Sequence, residues 1–203
     1  MSEWAWIENG RYWISLMLWL TLPPAILFWL LVHPFAAFWR RLGPAWTFTA
    51  MAFVGAGVGY VCWLFREPVL EARYPFRWQL AVVGLVFYAL AAVIEVKCRK
   101  HLRLRILVGM PELAKDDPGK LLTEGIYGQT RNPRYLDLMI GLAGWSLILN
   151  YRGIYWLVLA SFVGIYLIVL LEESELRQRF GAPYEEYLRR VPRFLPRSWA
   201  FLR

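Results

Sequence analysis

Five long apolar runs, each ended by a polar or charged cluster, divide the chain at positions 12–32, 45–65, 78–96, 135–149 and 154–171. A helix crosses the hydrocarbon layer with roughly 17–25 mostly apolar residues. The pattern therefore predicts an all-α integral membrane protein with five transmembrane helices. Pro23 and Pro24 are expected to kink the first, since proline removes a helical hydrogen bond and crowds the preceding turn. The fourth run is short, 15 residues, and is expected to start from a partly buried loop. Only Asn150, Tyr151, Arg152 and Gly153 separate the last two runs, which predicts a helical hairpin. The first run does not read as a cleavable signal peptide: Glu3 and Glu8 stand where a basic region is expected, and the run is too long. No repeat, low-complexity tract or long linker interrupts the pattern. Residues 1–203 thus read as one membrane domain, with three helices in 1–96 and the rest in 97–203.

Composition agrees with this picture. Of 203 residues, 59% are hydrophobic, 17% aromatic and 19% charged, against about 45–50% apolar and about a quarter charged in soluble domains. So short a chain cannot hide that much apolar surface in one water-soluble core. Intrinsic disorder is excluded, and with only Cys62 and Cys98 so is a disulfide-stapled module. Twelve Trp suit the lipid–water boundary.

The net charge of +8 is a matter of distribution. From the N-terminus, the polar segments carry 1, 2, 3, 9, 1 and 7 Lys or Arg, so alternate segments put 18 of the 23 on one side. Basic short loops stay in the cytoplasm, which predicts an outer N-terminus and a cytoplasmic C-terminus. The charge can also hold anionic lipid; without a recognition motif it does not indicate nucleic acid. In this orientation Cys62 and Cys98 fall near opposite faces, beyond disulfide reach, and read as packing residues.

Candidate chemistry is confined to the predicted inner side. Residues 120–137 contain Gly125 and Gly128, which open backbone conformations closed to other residues, and Pro133, which biases Asn132 away from helix. This describes an ordered loop entering a membrane helix, with Tyr127, Arg131, Asn132 and Tyr135 near it. Irregular backbone at membrane depth is tolerated where it is buried in protein or lines a polar cavity; the plainer alternative is a boundary loop with Tyr and Arg anchors. At the end of the fifth run stand Glu172 and Glu173, either solvated charges ending the span or carboxylates held at the bilayer edge at a cost. With Asp137 they are expected to gather around Arg131. Beyond them Phe180, Tyr184, Tyr187 and Leu188 share one side of a helix broken at Gly181. An amphipathic basic tail of this kind is expected to lie along the membrane surface, where it could also close over the loop and carboxylates.

Other signals are weaker. Gly55-Ala-Gly57-Val-Gly59 spells a nucleotide-binding glycine pattern, but inside a membrane helix its spacing suits close helix packing. His33 and His101 lie on separate loops without metal-ligand spacing, and no metal is expected. Glu95 is expected to pair with Lys97 or Arg99.

The order Gly125-x-Tyr127-x-x-x-Arg131-Asn132-Pro133-x-Tyr135, then Glu172-Glu173-x-x-Leu176, then Phe180-Gly-x-x-Tyr184-x-x-Tyr187 and Val191-Pro192 resembles one family. It is the membrane-embedded methyltransferase family of isoprenylcysteine carboxyl methyltransferases and phospholipid methyltransferases. The resemblance covers roughly the last ninety residues. It implies an all-helical protein that binds S-adenosylmethionine from the cytosolic side through 97–203. By position, Lys120, Leu121, Leu122 and Tyr127 would line the adenosine, and Asn132, Pro133, Arg134 and Tyr135 would wrap the cofactor. Glu172 would meet its amino group or hydroxyls, and Arg131 would brace the loop or pair with a carboxylate.

Three departures stand out. Asn132 replaces the family's usual His and cannot shuttle protons near neutral pH. Ile168 stands where prenylcysteine methyltransferases carry an arginine. Asp137 replaces a frequent Gly, an acidic entrance that suits a cationic or amine substrate. The implied chemistry is direct methyl transfer to a lipophilic or membrane-delivered acceptor, with Arg131, Asp137 and Glu173 as the catalytic set. A carboxylate or thiolate acceptor needs no base, whereas a protonated amine would use Asp137, Glu172 or Glu173. Competing readings are a reductase of the sterol-reductase type using NADPH and a non-catalytic membrane scaffold. Acceptor identity and oligomeric state stay open.

Overall fold

The computed structural model describes residues 5–100 and 121–196. Lys120 and His101, both singled out above, lie outside the described residues. Within them the chain is helical: α1 (Ala5–Val32), α2 (Ala36–Leu42), α3 (Pro44–Leu64), α4 (Arg66–Leu70), α5 (Trp78–Arg99), a 3-10 turn (Gly125–Gly128), α6 (Pro133–Leu149), α7 (Arg152–Phe180) and α8 (Ala182–Arg190). Boundaries follow local chemistry. Pro44 and Pro133 open α3 and α6, where a missing N–H costs nothing. Gly181, at φ 60°, breaks α7 from α8, and Asn150, at φ 54°, ends α6 in the left-handed region that Asn tolerates better than most residues.

Four helices, α1, α3, α5 and α7, are long and apolar enough to cross a membrane. The expected fourth run is α6, with 17 residues; at 1.5 Å per residue it is about 25 Å long, short of the ~30 Å hydrocarbon core. It shortens because the chain ahead of Pro133 is needed as loop. Large apolar side chains face outward along the spans, among them Phe53, Leu85, Val86 and Val163, as a lipid-facing surface requires. The protein is a multi-pass membrane protein.

Glycines set how closely the helices approach. Gly84 of α5 and Gly144 of α6 meet face to face: a Cβ on Gly84 would stand 2.5 Å from the Gly144 carbonyl oxygen, and one on Gly144 2.6 Å from that of Gly84. This contact makes α5 the main neighbour of α6, although α7 follows it directly in sequence. Gly55 and Gly59 do face α1, where an added Cβ would stand 3.8 Å from Pro24 Cβ and from the Leu20 carbonyl oxygen, so the glycine pattern in α3 is helix packing.

The bundle has two polar ends. At one, buried Arg11 donates to the carbonyls of Leu149 (2.8 Å) and Tyr74 (2.7 Å), pairs with Glu8, and lies over the Tyr151 ring. Asn150 Nδ2 donates to the Pro75 carbonyl, and the amides of Tyr74 and Arg152 close the same knot. Cys62, a free thiol, lies near this end; Cys98, also free, ends α5 at the other. At that second end His33 and Arg40 meet Glu175 of α7, at 3.2 and 2.6 Å.

Candidate functional site

The second polar end is built from three pieces distant in sequence. The first is the loop before α6. Gly125, at φ 60°, starts a 3-10 turn that buries Ile126 and Tyr127, and the amides of Gln129 and Thr130 bond back to the Ile126 carbonyl. The second is the end of α7. The third is the tail: α8 and the extended residues after it. The tail runs beside the loop with its backbone bonded to it. Arg131 N donates to the Pro192 carbonyl at 2.9 Å and Asn132 N to that of Arg193 at 3.2 Å, while Thr130 Oγ1 also reaches the Arg193 carbonyl.

Glu173 ties the three together. It is 3% exposed. Its Oε1 accepts from Arg131 Nε (3.1 Å) and Nη2 (3.0 Å) and from Asn132 Nδ2 (3.1 Å), and its Oε2 accepts from Arg193 Nη2 at 2.8 Å. Arg131 Nη1 then donates to the carbonyls of Leu188 and Val191, at 3.0 and 2.8 Å. A buried carboxylate is stable only when paired and hydrogen-bonded, and here two guanidiniums and an amide meet that need. The arrangement clamps the loop, α7 and the tail in one position.

Glu172 has different surroundings. Its Oε2 is buried with no hydrogen-bond partner among the described residues. Burial pushes the phenols of Tyr127 and Tyr184 upward, and the Glu172 carboxylate adds to that effect at both, which places it near them. Burial raises Tyr187 as well; its hydroxyl donates to the Tyr127 carbonyl at 2.7 Å. Tyr184, Tyr187 and Val191 form a small core with Leu121, Leu176, Phe180 and Leu188. The amphipathic tail packs over the loop, both tyrosines turned inward.

The sequence-predicted residues divide. Leu121, Leu122, Tyr127, Arg131, Asn132, Glu172 and Glu173 come together at this end, Leu122 and Tyr127 packing with Ile94, Cys98 and Leu136. Pro133 is buried at the start of α6. Tyr135 instead packs against the core of α1, α6 and α7, and Arg134 lies over the Trp29 ring, 5.9 Å from its centre. Of the three acids expected around Arg131, Glu173 is the one hydrogen-bonded to it among the described residues. Asp137 faces toward α5, in electrostatic range of Glu95, Arg134 and Arg99, and Glu95 pairs with Arg99. Asp137, one helical turn into α6, acts electrostatically on Cys98 of α5, which packs with Tyr127. Two participants escaped the sequence reading. Arg193 sits in an extended tail without periodicity, and Glu175 carries no motif of its own; only the fold brings their partners within reach.

Comparison with known proteins adds a second, independent line. The sequence model of the phospholipid methyltransferase family matches residues 80–183, a span holding most of α5, all of α6 and α7 and the loop that Glu173 clamps. Two rice relatives, from Oryza sativa subsp. indica and subsp. japonica, are each named probable protein-S-isoprenylcysteine O-methyltransferase. Each is 31% identical over 131 residues, 64% of this chain and 68% of the relative. Protein-S-isoprenylcysteine O-methyltransferase B of Arabidopsis thaliana is 26% identical over 154 residues, 72% of this chain and 73% of its own. No solved structure matches the chain. With the apolar spans and the loop–tail clamp in place, these matches establish that the chain belongs to the phospholipid methyltransferase family and is a membrane methyltransferase.

Proposed function

We propose that the protein transfers a methyl group from S-adenosylmethionine to a lipophilic or lipid acceptor at the end of the bundle closed by the tail. The observation that carries this reading is the buried, unpartnered Glu172 oxygen beside a clamp whose other carboxylate is fully engaged. A lone acceptor atom in such a place calls for a donor from a ligand. The amino group or ribose hydroxyls of the cofactor supply one, and the aromatic and apolar surface of Tyr127, Leu121 and Leu122 suits its adenine. When bound, the cofactor supplies a sulfonium methyl that an incoming lone pair attacks, the C–S electrons returning to sulfur. The chain's part is then positioning and exclusion of water, which lower such barriers by up to about 7–11 kcal/mol in ideal cases.

In this reading Glu172 binds the cofactor, Arg131 and Glu173 hold the loop, and Asn132, Pro133 and Arg134 shape it. Lys120 is retained as a cofactor contact from its position in the sequence. Asp137, on the side toward α5, is the residue for receiving an amine acceptor or its proton. Residues 1–203 act as one membrane domain, with α6 as a fifth, short span paired with α7, the N-terminus outside and the tail in the cytoplasm. The reductase alternative loses ground, since the family and the relatives are methyltransferases.

The test is titration of S-adenosylmethionine and of NADPH into detergent-solubilised protein. Saturable binding of the first, weakened at least about tenfold in Glu172→Gln by loss of a charged hydrogen bond, is expected. Unchanged affinity in that variant removes Glu172 from the site, and saturable NADPH binding overturns the methyl-donor reading.

A further inference from the structure

A second site lies at the opposite end from the Glu173 clamp. There α1, α4 and α7 border a cavity of about 630 Å³ whose walls include Trp19, Val69, Arg152, Trp156, Leu157 and Ala160. Arg152, Trp156 and Ala160 follow one another at four-residue spacing, so they form a stripe along one side of α7. The stripe runs from a charge, through an exposed indole, to the smallest side chain of the three. The facing wall is fixed. Trp19 Nε1 donates to the Cys62 carbonyl at 2.7 Å, and the Val69 carbonyl backs so closely onto Gly153 that no Cβ would fit there. The groove therefore exists before anything enters it.

Its charge is one-sided. Arg152 is the one charged residue along the cavity among the described residues, and its guanidinium makes no ion pair or hydrogen bond among them. An exposed arginine at the start of a membrane span, with no ion pair among the described residues, is open to an anion from outside the chain. Guanidinium suits phosphate because its fork of donors matches two oxygens at once. Below Arg152 the walls are apolar, which a free anion does not use and an acyl chain does. Charge above and hydrocarbon below match a lipid, headgroup at the boundary and chain in the groove.

We propose that this groove binds a phospholipid with a net negative headgroup, in the leaflet opposite the methyl-transfer site. The site is separate from catalysis and stands whether or not the proposed function does. The test takes the purified full chain in detergent with phosphatidylglycerol and phosphatidylcholine of identical acyl chains at equal amounts, read by native mass spectrometry and thermal unfolding. Phosphatidylglycerol is expected to be retained about fivefold over phosphatidylcholine and to raise Tm more, with the preference shrinking at high salt. Arg152→Gln abolishes the preference while neutral-lipid binding persists, and Ala160→Phe, which fills the groove, lowers retention of both lipids. Millimolar inorganic phosphate does not displace the lipid. Equal retention of the two lipids by the natural chain overturns the proposal on its own, even if a variant fails to fold. So does a preference that survives Arg152→Gln, retention unmoved by Ala160→Phe, or displacement by phosphate.

Discussion

Glu172 and Glu173 are neighbours on one helix, yet about 100° of rotation separates their side chains, and that angle gives them opposite fates. Glu173 turns into the loop and tail and is saturated by Arg131, Asn132 and Arg193, while Glu172 keeps a buried oxygen without a donor. Removing Glu173 strands two guanidiniums that were oriented around it. Glu173→Ala should cost about 3–5 kcal/mol, the usual penalty for breaking a buried pair, with the tail becoming protease-sensitive. A variant as resistant as the natural chain would show that the backbone bonds between loop and tail suffice. Glu172→Ala, by contrast, should leave thermal stability unchanged in the absence of ligand, because it removes no internal hydrogen bond. A clear drop in Tm would argue for a structural partner instead.

At the scale of elements, α5 and α6 approach through the Gly84–Gly144 contact, and α8 is held by buried tyrosines. A methyl group at Gly84 has no room. Gly84→Ala should lower stability by about 1–3 kcal/mol, the usual range for overpacking, whereas Gly59→Ala, facing α1 across 3.8 Å, should be tolerated. Thermal unfolding of both variants in detergent checks this, and equal effects would mean that the two contacts are equally loose. The tail also has a pH dependence with a definite sign. Tyr127, Tyr184 and Tyr187 have raised phenol pKa values in the folded protein because burial disfavours the phenolate. Their share of the stability is complete below the unfolded value of about 10 and falls as pH rises past it. Proteolysis of the tail should therefore accelerate above that pH and not below. Acceleration near neutrality would assign the sensitivity to a group other than these tyrosines.

For the whole molecule the question is orientation. The two polar ends differ in kind: one is a knot around Arg11 that closes the fold, and the other gathers the clamp and the His33–Arg40–Glu175 contact. The proposed topology puts the second in the cytoplasm. Single cysteines introduced at Arg66 and Arg177, in a background without Cys62 and Cys98, should label from opposite sides of sealed vesicles, with Arg177→Cys reached only from the cytoplasmic face. Labelling of both from one side would remove the proposed orientation and with it the cytosolic route for the cofactor.

Four of the five expected spans are helices long and apolar enough to cross a membrane, and these were legible in the chain because that property is additive along a segment and needs no partner. The glycine–proline loop, the paired glutamates and the shared helix side of Phe180, Tyr184, Tyr187 and Leu188 were legible as local patterns. Pro133 and Gly181 also marked element ends where the structure has them. What no linear reading provides is a direction in space. That Glu173 and not Asp137 meets Arg131, that α6 lies chiefly on α5, and that Arg11 plugs the far end all depend on helix rotation and on contacts more than forty residues apart. Those contacts exist only after the helices have packed, which is why the elements could be read from the sequence while their pairings were decided by the tertiary structure.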